Sequence, residues 1–180
     1  MNMNMPARGG SASGGKRSST IFLQIVIVLI GIVALAIMIR FPLTEGRAAN
    51  LDLVSIYADP FIMYGYVASI AFFVALYQAF KLLGYIRQNK VFSLNSVKAL
   101  RTIKYCAVTL SILIVIAAIY IRITYAFGVP EAQGGDDPAG FIAVSIVTTF
   151  ISIVVATAAA VFEKTTQSAV DLKSENDLTV

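Results

Sequence analysis

Four stretches of this chain, residues 20–39, 61–80, 105–121 and 140–162, carry no charged side chain at all. An uncharged apolar run of about 20 residues, rising roughly 1.5 Å per residue as a helix, matches the ~30 Å hydrocarbon core of a bilayer. Inside lipid the backbone must satisfy its own hydrogen bonds, so runs of this length and composition read as helices. Composition agrees, since 58% of the 180 residues are hydrophobic and 13% are charged. A soluble domain usually carries about 25% charged residues, so a water-soluble core is the poorer explanation. The expected fold class is all-α, a polytopic membrane bundle of four transmembrane helices spanning about 20–39, 61–83, 105–125 and 140–162.

The connections between the runs set the remaining organisation. Residues 1–19 are rich in Gly, Ser and Asn and hold Arg8, Lys16 and Arg17 without an acid, the composition of a disordered tail. The first run is too long for a signal-peptide core and leads into Arg40-Phe41-Pro42 rather than a small-residue cleavage site, so it reads as a retained anchor. Residues 163–180 form a second polar tail, in which Thr165 to Leu172 are expected to prolong the fourth helix and Ser174 onward to fray.

Lysine and arginine are distributed unevenly between the two sides. Of the 14 basic residues, 11 fall in the two tails and the 81–104 connection, and 3 fall in the other two loops. Positive residues mark the cytoplasmic side, which predicts that both termini lie inside the cell. The formal net charge of +4 then resolves into about +7 inside and −3 outside. It is a membrane-orientation signature and gives no support to direct nucleic acid binding. The expected location is the cytoplasmic membrane of a bacterium, with the lipid bilayer as the principal partner.

Few residues offer chemistry. The chain has no His and one Cys, Cys106, which excludes a Ser-His-Asp triad, His-ligated zinc or haem and an intrachain disulfide. No catalytic residue, cofactor or metal site is expected, and the chain reads as a non-enzyme. The acidic group Glu131, Asp136 and Asp137 lacks the six or more regularly spaced oxygens of a calcium loop and reads as a solvated turn.

Three other features are informative. Arg87, Lys90, Lys98, Arg101 and Lys104 form a basic inner surface suited to anionic lipid or to an acidic cytoplasmic partner. Ser93 is placed to N-cap a helix that continues through Tyr105 into the third span. Arg122 lies at the outer end of that span, where it can snorkel or form a structural ion pair with Glu45, Asp52 or Asp59.

Helix packing should follow the small residues. Ser145, Thr149, Ser152, Ala156 and Ala160 make a seam along the fourth span, and Gly65, Ser69, Phe72, Ala75 and Ala79 a similar one along the second. Such seams serve contacts within the bundle or in an oligomer. Gln24 and Gln78 read as interhelical hydrogen-bonding groups.

Several segments resemble a bacterial four-span membrane family, that of domain of unknown function 2975. They are FPLTEGRAANLDL from Phe41, the stretch from Asp59 to Ile86, KVFSLNSVKALRTIKYC from Lys90 and the closing FEKTTQSAVDLKSENDLTV from Phe162. The resemblance implies the fold and supplies no catalytic residues. Its members are often encoded beside a small helix-turn-helix regulator, which implies a membrane partner for a DNA-binding protein. The functional expectation is a non-enzymatic accessory, sensor or tether for such a cytoplasmic regulator. The rival is a small transporter or channel subunit acting as an oligomer.

Overall fold

The computed structural model describes residues 12–44, 57, 59–128 and 138–177, with side chains described over 18–40, 57, 59–128 and 139–176. Among the described residues the fold is wholly helical: α1 (Ala12–Thr44), α2 (Pro60–Arg87), α3 (Leu94–Ala126) and α4 (Pro138–Asp177). All four are long and apolar enough to cross a membrane.

Local sequence sets the helix ends. Asp59 caps α2, its Oδ1 accepting from the backbone amides of Phe61 at 2.7 Å and Ile62 at 3.4 Å, and Pro60 occupies the first turn, where no amide is required. After Arg87 the chain turns through Asn89 in the left-handed region, φ 57°, a conformation that Asn tolerates better than most residues. Ser93 caps α3 as its sequence position predicts, accepting from the Ser96 amide at 3.3 Å. The Ser96 hydroxyl donates to the Lys90 carbonyl at 3.1 Å and is fully buried, tying the end of α2 to the start of α3.

Two boundaries extend beyond their sequence expectation. Helix α1 begins at Ala12, inside the stretch read as a tail, and α4 runs to Asp177, past the fraying expected from Ser174. In α4 the cause is local: Gln167 donates to Asp171 at 2.8 Å one turn on, and Glu163 holds the start of the polar extension against α3 as described below.

The helices pack in chain order. The α3–α4 contact is the most extensive, α2–α3 follows, and α1–α2 is the smallest of the three. Helix α2 sits between its neighbours, and its tyrosines mark the two sides. Tyr64 donates to the Leu113 carbonyl of α3 at 2.7 Å, and Tyr66 donates to the Met38 carbonyl of α1 at 3.0 Å. Gly65, between them, therefore faces open space, with nothing within 4 Å of a Cβ placed there, and does not join a packing seam. The close approach belongs instead to Gly31 of α1, where a Cβ would meet Leu76 Cδ2 at 3.1 Å. Gln24 does bridge helices, its amide donating to the Phe80 carbonyl at 3.4 Å, whereas Gln78 makes no hydrogen bond among the described residues.

Burial is uneven along the spans. The buried residues of α3 are Ser96, Val97, Ala99, Leu100, Ile103, Ala107 and Ser111, all but Ser111 in its first half. On α4 they are Ser145, Ala156, Ala159, Glu163 and Thr166, all but Ser145 clustered within residues 156–166. The tightest packing therefore lies at the end of the molecule where the 81–104 connection and the α4 extension meet. Lipid provides no hydrophobic drive for helices to associate, whereas water at a membrane surface does.

Candidate functional site

Helix α4 has 40 residues, about 60 Å at the standard rise, roughly twice the hydrocarbon thickness. Its excess length lies beyond the uncharged run, from Glu163 onward. Buried α4 positions 156, 159, 163 and 166 follow a spacing of three and four residues. The pattern is that of a left-handed helix pair and carries the α3–α4 contact past the last apolar turn.

Glu163 occupies the first polar position of that series. Its Oε1 accepts from Arg101 Nε at 2.7 Å and its Oε2 from Lys104 Nζ at 2.6 Å, so one carboxylate holds two cations of α3. Arg101 and Lys104 are three residues apart, which places them on one face of α3 about one turn apart. The hydrogen bonds from Lys104 and Arg101 hold the Glu163 carboxyl below the usual carboxylate range, against the opposing effect of burial. Beside the ion triad lies an open cavity of about 330 Å³, lined also by Lys164, Gln167 and Ser168.

The basic residues singled out from sequence thus divide. Arg101 and Lys104 are engaged by Glu163 across the helix pair. Arg87, Lys90 and Lys98 are exposed and form no ion pair among the described residues. Glu163 itself was not foreseeable as a site residue by composition, because it reads as the first residue of a polar tail. Its signal is positional: it falls on the spacing of the small-residue seam, where a charged side chain needs a partner.

At the opposite end of the molecule, Arg122 is exposed and makes no ion pair among the described residues. Of its expected partners, Glu45 and Asp52 lie outside the described residues, as do Glu131, Asp136 and Asp137. Asp59 is described, and its carboxylate is used as the α2 cap. Along the α4 seam, Ser145 and Ala156 are buried, and Thr149, Ser152 and Ala160 are half-buried. Phe61 joins the ends of three helices away from the ion triad, its ring 6.4 Å from that of Tyr120 and 5.9 Å from that of Phe141. Cys106 is half-buried two residues beyond Lys104, on a different face of α3 from the ion triad.

A helical protein whose four elements are each long and apolar enough to span a bilayer is an integral membrane protein. The chain belongs to the family described as protein of unknown function (DUF2975), whose model matches residues 43–180. It is also 47% identical over 169 residues to an uncharacterized membrane protein, YoaS, of Bacillus subtilis (strain 168), an alignment covering 91% of this chain and 99% of that one. No solved structure matches.

Proposed function

We propose that this protein is a non-enzymatic platform of the bacterial cytoplasmic membrane, oriented with both termini inside, that holds a helix-turn-helix regulator at the inner face. The observation that carries the reading is the Glu163 triad. It keeps the polar extension of α4 helical and packed on α3, so that a two-helix stalk stands out from the bilayer. A stalk held this way offers a fixed surface, with Lys164, Asp171, Lys173 and Glu175 exposed on α4 and Lys98 exposed on α3. Arg87 and Lys90 remain available to anionic headgroups, at about 1 kcal/mol per basic residue. The apolar lining of the larger groove between α3 and α4 favours a platform over a conducting subunit, because conduction needs polar groups along a shared path.

The test is affinity capture of the intact protein from solubilised membranes, against a chain lacking residues 168–180 and therefore retaining Glu163. Recovery of a DNA-binding regulator with the intact protein, and its loss on truncation, is the expected result. A regulator recovered equally from both chains removes the stalk from the reading, and none from either removes the tether.

A further inference from the structure

A second cavity, lined by other residues, is unrelated to the ion triad. It is a groove of about 560 Å³ between α3 and α4, running beneath Arg122 and walled by Val115, Ile119, Ser145, Phe150 and Ile153. Its volume falls within the ~300–1,000 Å³ usual for ligand sites. Along α4 the lining extends from Ile142 to Ile153, about 16 Å at the standard rise, close to the ~15 Å depth of one leaflet. The walls are almost wholly apolar, and the one formal charge stands at the end where α3 leaves its uncharged run. Arg122 is exposed and has no carboxylate partner among the described residues.

A guanidinium with no carboxylate partner among the described residues, above an apolar slot one leaflet deep, is complementary on both counts to an anionic lipid. We infer that the α3–α4 groove binds an anionic phospholipid of the leaflet at the C-terminal end of α3, its phosphate on Arg122 and one acyl chain along the groove. The guanidinium presents several N–H donors in a planar fork, a geometry matched to phosphate oxygens. A zwitterionic phospholipid fills the same slot but places a compensating cation beside the arginine. The groove therefore accepts either tail, and selection rests on the headgroup. This site is at the opposite end of the molecule from the basic residues around Lys98 and is independent of the platform reading.

The chain contains no Trp, so one introduced indole reports on the groove alone. Full-length Phe150→Trp is reconstituted in phosphatidylcholine vesicles containing graded fractions of brominated phosphatidylglycerol, and separately of brominated phosphatidylcholine. Bromine quenches indole fluorescence on contact, and the two titrations give a relative affinity. The expected preference for phosphatidylglycerol is about fivefold, equivalent to about 1 kcal/mol for one basic residue. Adding Arg122→Gln should reduce the preference to about one, Arg122→Lys should retain most of it, and Lys98→Gln should leave it unchanged. Equal quenching by both lipids, or a preference that survives Arg122→Gln, overturns the assignment. Quenching by neither lipid means that a second copy or another helix fills the groove, and also overturns it. Competition by soluble glycerol phosphate assigns Arg122 to a free anion and removes the acyl chain.

Discussion

The Glu163 triad makes an asymmetric prediction that separates a structural lock from a surface ion pair. Glu163→Gln leaves two cations without their carboxylate, but the Arg101 and Lys104 side chains retain 55% and 27% of their exposure. Both can turn toward water, so the loss is that of two weakly coupled surface pairs, about 1 kcal/mol in all. Replacing the cations instead, as Arg101→Met with Lys104→Met, strands a carboxylate that keeps 11% of its exposure. Breaking a buried pair from one side costs about 3–5 kcal/mol, and the open cavity beside Glu163 places this case near about 3 kcal/mol. At about 2–4 °C per kcal/mol for a chain of this size, the melting temperature should fall by about 2–4 °C for Glu163→Gln and by about 6–12 °C for the double variant. Cys106 supplies the assay, being the sole cysteine of the chain and half-buried two residues from Lys104. The rate at which a thiol-reactive dye labels it in detergent during heating reports unfolding of α3 at this level. Adding Glu163→Leu to the double variant should recover most of the loss, since an apolar trio of similar volume strands no charge. A double variant no less stable than Glu163→Gln, or a triple variant that recovers nothing, would refute the reasoning.

Two further outcomes are expected. Glu163 has its carboxyl pKa lowered in the folded state, so its contribution is fully present above the unfolded value of about 4.3 and is lost as pH falls through the lower folded value. The melting temperature should thus be steady from neutral pH to about 5 and drop below about 4, with the drop shallower in Arg101→Met/Lys104→Met; equal slopes in the two proteins would detach the pH response from this residue. For the proposed orientation, a membrane-impermeant thiol reagent applied to intact cells should label Asp137→Cys and spare Val180→Cys, each made in a Cys106→Ser background. Labelling at position 180 would invert the topology.

The helical class and the number of spans were legible because uncharged runs of bilayer length leave few alternatives, and the Asp59-Pro60 and Ser93 starts follow from cap chemistry. Pairwise contacts were not. Small residues permit close approach without specifying where it occurs, so Gly65 and Gly31 look equivalent in sequence, yet only Gly31 meets a neighbouring helix. In sequence Tyr64 is one of eight tyrosines with nothing to mark its partner, whereas its hydroxyl bonds a carbonyl on α3, a contact that depends on the rotation of two helices about their axes. The basic connection was visible as a charge count. That two of its members are paired with one acid 62 and 59 residues away depends on the register of α3 against α4, which composition does not carry.

Packing in chain order also bears on how the molecule is assembled. Among the described residues each extensive contact joins helices that are consecutive in the chain, so none of these waits for the first helix to close against the last. Sequential pairing keeps sequence separation short, the condition under which chain-closure entropy slows folding least. The most extensive pairing, α3 with α4, comes last, and its charged clasp closes only after residue 163 has been synthesised. Stability therefore accrues toward the C-terminus, while α1, held to α2 by the smallest of the three contacts, is the helix most easily parted from the rest.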